Sequence, residues 1–493
     1  MLQQSPKKIS VQLILTVLSG LGLLSYIIYK ASHTSFTHDE SYTYTHYVHQ
    51  SFMDIISYKT PYLNNHILNT LCVKYNEEFF GSSEIALRLG SIIAFIIYSV
   101  FAILLFSKYC PKFMLPFYVI LSFNPYLLDF FSLARGYGLS IAFMLMSIYY
   151  ITKYFTAEKK VHLILFNVGA GLSVLSNFSM LNYYISALIA YNVISFLLSK
   201  YDVQEVKKSA QFFKLNKINI ISFILLGMIL YEPLRKISKT KLLDFGGKDG
   251  ILSDTGPSVV YDLFYKMNVT DDYMLFFKLF MITVPLLTLI LLLKKFVKRE
   301  LDFFKTHVTL SFANLVLWLI VCFVNIQHFV LDNDYNMHRF ALFFYVLFMV
   351  NFIFLILYFY TQGLKIVTFM VSYIGAILLC VNLYYNHSLS YYRDWSWDMD
   401  TKLIMQKLTL EHQKNPSKKV RLGINWIFEP CTNFYRYTLD LNWLNPTHRN
   451  GLSKNDDYYL LFVTDQEYQP FVNEPIVHMS EQSRVVLIKN PKK

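Results

Sequence analysis

Apolar residues fall into eleven runs of near-membrane length, divided by short basic connectors and a few long polar loops. The first runs from Val11 to about Tyr29, close to the ~20 residues that cross hydrocarbon, and no small-residue cleavage site follows it. It reads as an uncleaved anchor with the N-terminus inside. Ten further spans are predicted near residues 86–107, 114–133, 137–153, 161–177, 181–199, 218–232, 274–293, 308–328, 340–360 and 366–384. The fold class is therefore an α-helical polytopic membrane protein of about 11 transmembrane helices.

Loop charge gives the expected orientation. Lys108 and Lys112, then Lys153, Lys159 and Lys160, the basic segment 200–217, and Lys294, Lys295, Lys298, Arg299 and Lys305 fall in alternate loops, which the positive-inside rule assigns to the cytoplasm. The opposite face then carries a first loop of residues 30–85, a second of 233–273, a short one near 329–339, and a tail. Loops longer than ~12–15 residues are more often functional than spacers. In the first loop, Tyr44–Tyr58 and Leu63–Phe79 have helical amphipathic spacing, broken at Pro61, as expected of helices lying in the membrane interface. The tail changes character, with a polar helix over 399–413 and strand-like runs at 420–427, 458–463 and 484–488. The chain divides on this reading into a membrane domain, 1–384, and a small extracytoplasmic α/β domain, 385–493.

Composition narrows the class further. The 493 residues are 54% hydrophobic, 17% aromatic and only 16% charged, too little charge for a water-facing globule. The net charge of +12 sits mostly in membrane-flanking lysines and does not signal nucleic acid. The five cysteines, Cys72, Cys110, Cys322, Cys380 and Cys431, have neither zinc nor disulfide spacing. No nucleotide-binding or hydrolase motif is present.

The candidate chemistry lies on the predicted outer face. Asp39 and Glu40 follow the first span, and on a helix their side chains diverge by about 100°, so one of them points into a given site. A carboxylate against apolar walls suits a general base; a plain helix start is the equally open alternative. His46 and His49, three apart, share a helical face and with a carboxylate would form a divalent metal site. Asn65 and His66 offer hydrogen bonds to a sugar or phosphate, or cap a helix. Arg135, between Ala134 and Gly136 and followed by Tyr137 and Gly138, calls for exposure, an ion pair such as Asp129, or a bound anion, and phosphate matches its fork. His338 and Arg339 begin a later span at the depth of a lipid phosphate, where snorkelling is the plainer reading.

Taken together, Asp39-Glu40, Asn64-Asn65-His66, the run Ser83 to Leu89 containing Arg88, Ala134 to Leu139, and Arg339-Phe340 resemble the GT-C superfamily of integral-membrane glycosyltransferases. The nearest branch is that of the protein O-mannosyltransferases and the aminoarabinose transferase of lipid A. Order and sidedness over residues 10–385 carry the resemblance; no single motif does. It implies a polyprenyl-phosphate-linked sugar donor, a protein, glycan or lipid acceptor, and catalysis outside the cytoplasm. Asp39 is then the base, Glu40 its supporting or metal-linked neighbour, and Arg135 and Arg339 the phosphate contacts, with Arg88 a further candidate. Tyr137, His338, Asn65 and His66 complete the expected donor-binding set.

The alternative class is a transporter or flippase of a lipid-linked or anionic solute, which favours mid-membrane charges and inverted repeats. Neither is legible here. A polymerase or ligase of surface polysaccharide is a chemical variant of the first reading. A bacterial cytoplasmic membrane is the expected location.

Overall fold

The computed structural model describes residues 10–62, 64–199, 205–239, 246–416, 419–472 and 474–490. Leu63, the predicted start of the second interfacial helix, and residues 200–204 of the basic connector lie outside them. The larger helices are α1 (Val11–His33), α2 (His38–Thr43), α3 (Ile67–Phe80), α4 (Glu84–Tyr109), α5 (Met114–Ser122), α6 (Pro125–Ser132), α7 (Gly136–Ala157), α8 (Lys160–Ser176), α9 (Leu181–Ser199), α10 (Glu205–Ile237), α11 (Gly256–Leu263), α12 (Asp271–Val297), α13 (Val308–Leu331), α14 (Leu342–Thr361), α15 (Lys365–Asn386), α16 (Thr401–Gln413) and α17 (Glu429–Thr438). Among the described residues, nine helices are long and apolar enough to cross a membrane: Val11–His33, Glu84–Tyr109, Gly136–Ala157, Phe178–Leu198, Asn216–Ile237, Asp271–Val297, Val308–Leu331, His338–Thr361 and Lys365–Asn386. The chain is an integral membrane protein.

All eleven expected spans are helical, but two depart from a straight crossing. Residues 114–133, expected as one span, are two helices bent by 75°. Asn124 sits at the break, its side chain accepting the amides of Tyr126 and Leu127, and Pro125 opens the new helix. Helix α8 has only 17 residues, ending where the Asn177 side chain caps the following turn.

The first loop starts its helix earlier than its amphipathic spacing indicates. Thr37 and Glu40 form a capping box that begins α2 at His38. A π-helical turn, Tyr44–Val48, continues it, and a separate turn, Phe52–Ile56, restarts on Ser51, whose hydroxyl accepts the Asp54 amide. The second interfacial helix, α3, ends at Gly81, which has a φ of 81°.

At the first-loop end of the bundle, the tail forms a four-stranded mixed sheet. Its strands are β1 (Leu422–Ile424), β2 (Tyr458–Phe462), β3 (Ile476–Ser480) and β4 (Val485–Lys489), in the order β1-β2-β4-β3. β1 runs parallel to β2, and the other pairings are antiparallel. Strand β3 and helix α17 have no counterpart in the sequence pattern. The sheet shares a core with the first loop: Phe36, Tyr44, Val48, Leu87 and Ala134 pack in one cluster with Ile404, Phe434, Leu460 and Leu487. The tail thereby buttresses α2 directly, through Phe36 stacked on Phe434 at 4.3 Å and the Phe36 amide donating to the Tyr435 hydroxyl at 2.7 Å.

Candidate active site

Two adjacent carboxylates of α2 have opposite surroundings. Glu40 is sealed. Its oxygens receive the Arg88 guanidinium at 2.8 and 2.7 Å, the Thr37 amide at 2.9 Å and the Ala134 amide at 2.6 Å. Arg88 is equally committed, donating to the carbonyls of Ala31, Thr34 and Ser35 at 2.8–2.9 Å, and both side chains have 0% exposure. Glu40 therefore fixes the loop entrance, and the guanidinium nitrogens of Arg88 are all committed to partners within the protein.

Asp39 keeps 16% exposure between two guanidinium groups. Its Oδ2 lies 3.5 Å from Arg135 Nη2 and 3.6 Å from Arg339 Nη2, longer than the 2.7–2.9 Å typical of a closed charge-assisted bond. Burial would push this carboxyl up, but the Arg135 and Arg339 charges outweigh it and hold it below the ordinary carboxylate value. It is ionised at neutral pH.

Arg135 is oriented by the first loop, its Nη1 donating to Thr43 Oγ1 at 3.1 Å and the Asn64 carbonyl at 3.2 Å. His66 Nδ1 lies 3.0 Å from the Ser176 carbonyl, which only accepts, so Nδ1 carries the proton and Nε2 accepts from Arg135 Nη2 at 3.1 Å. Burial and the Arg135 charge hold His66 well below its usual pKa and neutral, matching that tautomer. The expected Arg135–Asp129 pair is absent because Asp129 takes Lys30 and the Tyr265 hydroxyl instead.

Glycine at 136 admits backbone rather than ligand: a Cβ there would lie 1.8 Å from the Ser176 carbonyl oxygen. Tyr137 is buried, its ring edge-on to His66 at 5.0 Å and Phe340 at 6.0 Å, so it walls the pocket.

Arg339 reaches in from the opposite side. Its Nη1 donates to Asp394 at 3.1 Å, and its guanidinium lies 5.0 Å from the Trp395 ring. Asp394 also accepts from the Tyr126 hydroxyl at 2.8 Å. Sequence reasoning missed Asp394, Trp395 and Tyr126, whose roles depend on the tail folding back over the bundle. The Nε atoms of both Arg135 and Arg339 are buried with no hydrogen-bond partner among the described residues, which leaves donors for an incoming anion.

Other expected ligands are elsewhere. Asn65 is spent on the Ile55 carbonyl at 3.0 Å and the Thr70 hydroxyl at 2.9 Å, a structural role inside the loop. His338 turns to Asp262, 3.0 Å away, with a φ of 49°. His46 stacks on Tyr42 at 4.0 Å, whereas His49 approaches Glu77 at 3.7 Å. Among the described residues no group of three or more His, Cys, Asp or Glu is placed to hold a metal ion, so the expected divalent site does not form around this pair.

An apolar cavity of about 490 Å³ is lined by Val260, Phe280, Met281, Trp318 and Phe344 among others, and none of Asp39, Arg135 and Arg339 lines it. Helix α11 lines this cavity, and its Ser258 accepts the His338 amide at 3.0 Å.

Fold and site together define a polytopic helical membrane protein with a carboxylate between two arginines at one end of its bundle. The chain is similar in structure to ArnT from Cupriavidus metallidurans in the apo state, with a TM-score of 0.46 and 10% identity over 97% of both chains. The same protein bound to undecaprenyl phosphate gives a TM-score of 0.45, with the same identity and coverage. No protein-family model matches the chain, and no curated protein matches it in sequence.

Proposed function

We propose that this protein is a membrane glycosyltransferase that moves a sugar from a polyprenyl-phosphate-linked donor to a hydroxyl of a protein, glycan or lipid. The observation that carries the reading is Asp39 held loosely between Arg135 and Arg339, each with a buried Nε that has no partner among the described residues. Donor phosphate binds the two guanidinium groups.

Phosphate binding also prepares the base. In the free protein the arginines hold Asp39 in its weakly basic form. An anion that draws off their charge raises the carboxylate's proton affinity. Asp39 then takes the acceptor hydroxyl proton as that oxygen bonds to the anomeric carbon and the bond from that carbon to the phosphate oxygen breaks. The departing lipid phosphate keeps its charge on Arg135 and Arg339. On this reading the N-terminus is cytoplasmic, with the pocket and tail outside a bacterial cytoplasmic membrane.

The test is transfer from a panel of radiolabelled polyprenyl-phosphate sugars in nanodiscs, for wild type and Asp39→Asn. Transfer that collapses in a folded Asp39→Asn variant supports the proposal. Lipid-linked sugar that crosses the bilayer untransferred, equally in both proteins, replaces it with a transporter.

A further inference from the structure

One turn along α2 from the Asp39 pocket, the surface carries an aromatic and cationic cluster that the donor chemistry does not use. Tyr42 shares the helix face of Asp39, three residues on. The Arg449 guanidinium lies 5.8 Å from the Tyr42 ring and 5.6 Å from the Trp426 ring. Trp426 is 54% exposed and Tyr62, 5.8 Å from Tyr42, is 49% exposed. The Trp426 edge meets His38, the neighbour of Asp39, at 6.3 Å. These groups therefore form one surface continuous with the base.

Arg449 is tethered without being used up. Its Nε donates to Glu429 at 3.3 Å, and its two terminal nitrogens have no acceptor among the described residues. Glu429 is itself held by Asn433 at 2.7 Å. A fixed guanidinium with free N–H groups, flanked by large exposed rings, matches a ligand with an anionic group on a ring that has C–H faces. Sugars carrying a carboxylate or phosphate have both. A neutral peptide side chain has neither.

We propose that Trp426, Tyr62 and Arg449 form the acceptor subsite, and that the acceptor is an anionic saccharide whose ring stacks on Trp426, whose carboxylate or phosphate pairs with Arg449, and whose hydroxyl reaches Asp39. This rests on the glycosyl-transfer reading. It deepens that reading by selecting glycan-type acceptors over hydroxyl side chains of proteins.

Binding, measured without donor, separates the two. The full chain in nanodiscs is titrated by saturation-transfer NMR with a glucuronic-acid disaccharide, its neutral glucose counterpart, glucose 6-phosphate and a Ser/Thr peptide. The expected result is binding of the acidic disaccharide, about tenfold weaker for the neutral one and in Trp426→Ala and Arg449→Gln, and unchanged in Lys365→Gln, an exposed residue at the start of α15. The phosphate probe tells carboxylate from phosphate recognition. Equal binding of acidic and neutral sugars, equal binding by all variants, or binding of the peptide alone overturns the subsite. Saccharide binding as expected, with no transfer by the wild type from any donor, counts against the catalytic reading instead.

Discussion

Asp39 and Glu40 occupy successive positions of one short helix, yet one sits among contacts of 3.5–3.6 Å and the other among contacts of 2.6–2.9 Å. Glu40 is matched to a single guanidinium on both oxygens, and backbone amides take what remains. Asp39 is shared between two arginines, Arg135 and Arg339, that are each held more closely by other partners, Thr43 and His66 for one and Asp394 for the other. A buried pair with every hydrogen bond closed is architecture, because any approach by a ligand would have to break it. A carboxylate held at a distance by two cations is a site, because a phosphate can take those cations without dismantling the fold. The Glu40 bond to the Ala134 amide ties the two together, since it anchors the backbone just before Arg135.

Removing Glu40 should have the largest effect. Glu40→Ala leaves Arg88 charged in a fully buried site, which costs about 3–5 kcal/mol, and it frees the Ala134 amide. The expected outcome is a large loss of thermal stability in detergent, with folded yield and transfer falling together. Asp39→Asn breaks no closed bond, so its unfolding temperature should stay near wild type while transfer falls by about 10²–10⁴. If the two variants lost stability equally, the division between closed and open carboxylate would fail.

Arg339→Gln comes next. With one of two leaving-group cations gone, transfer should drop by about 10²–10³, chiefly in kcat. The same variant sharpens the pH argument. Because the Asp39 pKa is depressed, its basic form persists below the usual carboxylate value, and the acid limb of kcat/KM should fall below 3.8 in wild type. The acid limb of kcat, which reports the donor complex, should lie at higher pH than that of kcat/KM, and in Arg339→Gln the kcat/KM limb should move up. Coincident limbs in wild type would mean that phosphate does not draw charge from the arginines.

How much of this was legible in the chain differs between helix and site. The eleven apolar runs gave the helices, because burial in lipid imposes length and composition locally. Asp39 and Arg135 stood out because charge beside an apolar segment is costly. Their neighbours misled for the same reason: Glu40, Arg88 and Asn65 carry equally conspicuous side chains, but local sequence does not reveal that Arg88 lies across from Glu40 or that Asn65 turns inward to the Ile55 carbonyl. Asp394, Trp395, Trp426 and Arg449 were invisible for the opposite reason. They lie in a polar tail where charge is unremarkable, and only the shared core of Phe36, Phe434 and Leu460 brings that tail over the pocket.

A third carboxylate tests the closed side of the comparison with a smaller effect. Asp398 accepts the His38 amide at 2.7 Å and the Cys431 thiol at 3.2 Å, but no cation closes on it as Arg88 closes on Glu40. Burial accordingly pushes its carboxyl up to about 8. A raised folded-state pKa stabilises the fold fully below the unfolded value of 3.8, and that contribution is lost as pH rises through about 8. Between pH 7 and 9 the loss is about 1 kcal/mol, since roughly one pH unit of titration remains. Thermal unfolding of wild type should therefore drop over that range more than that of Asp398→Asn, which keeps an acceptor for the His38 amide without a charge to bury. Parallel curves would mean that a counter-charge reaches Asp398 after all, and that isolation from cations does not distinguish it from Glu40.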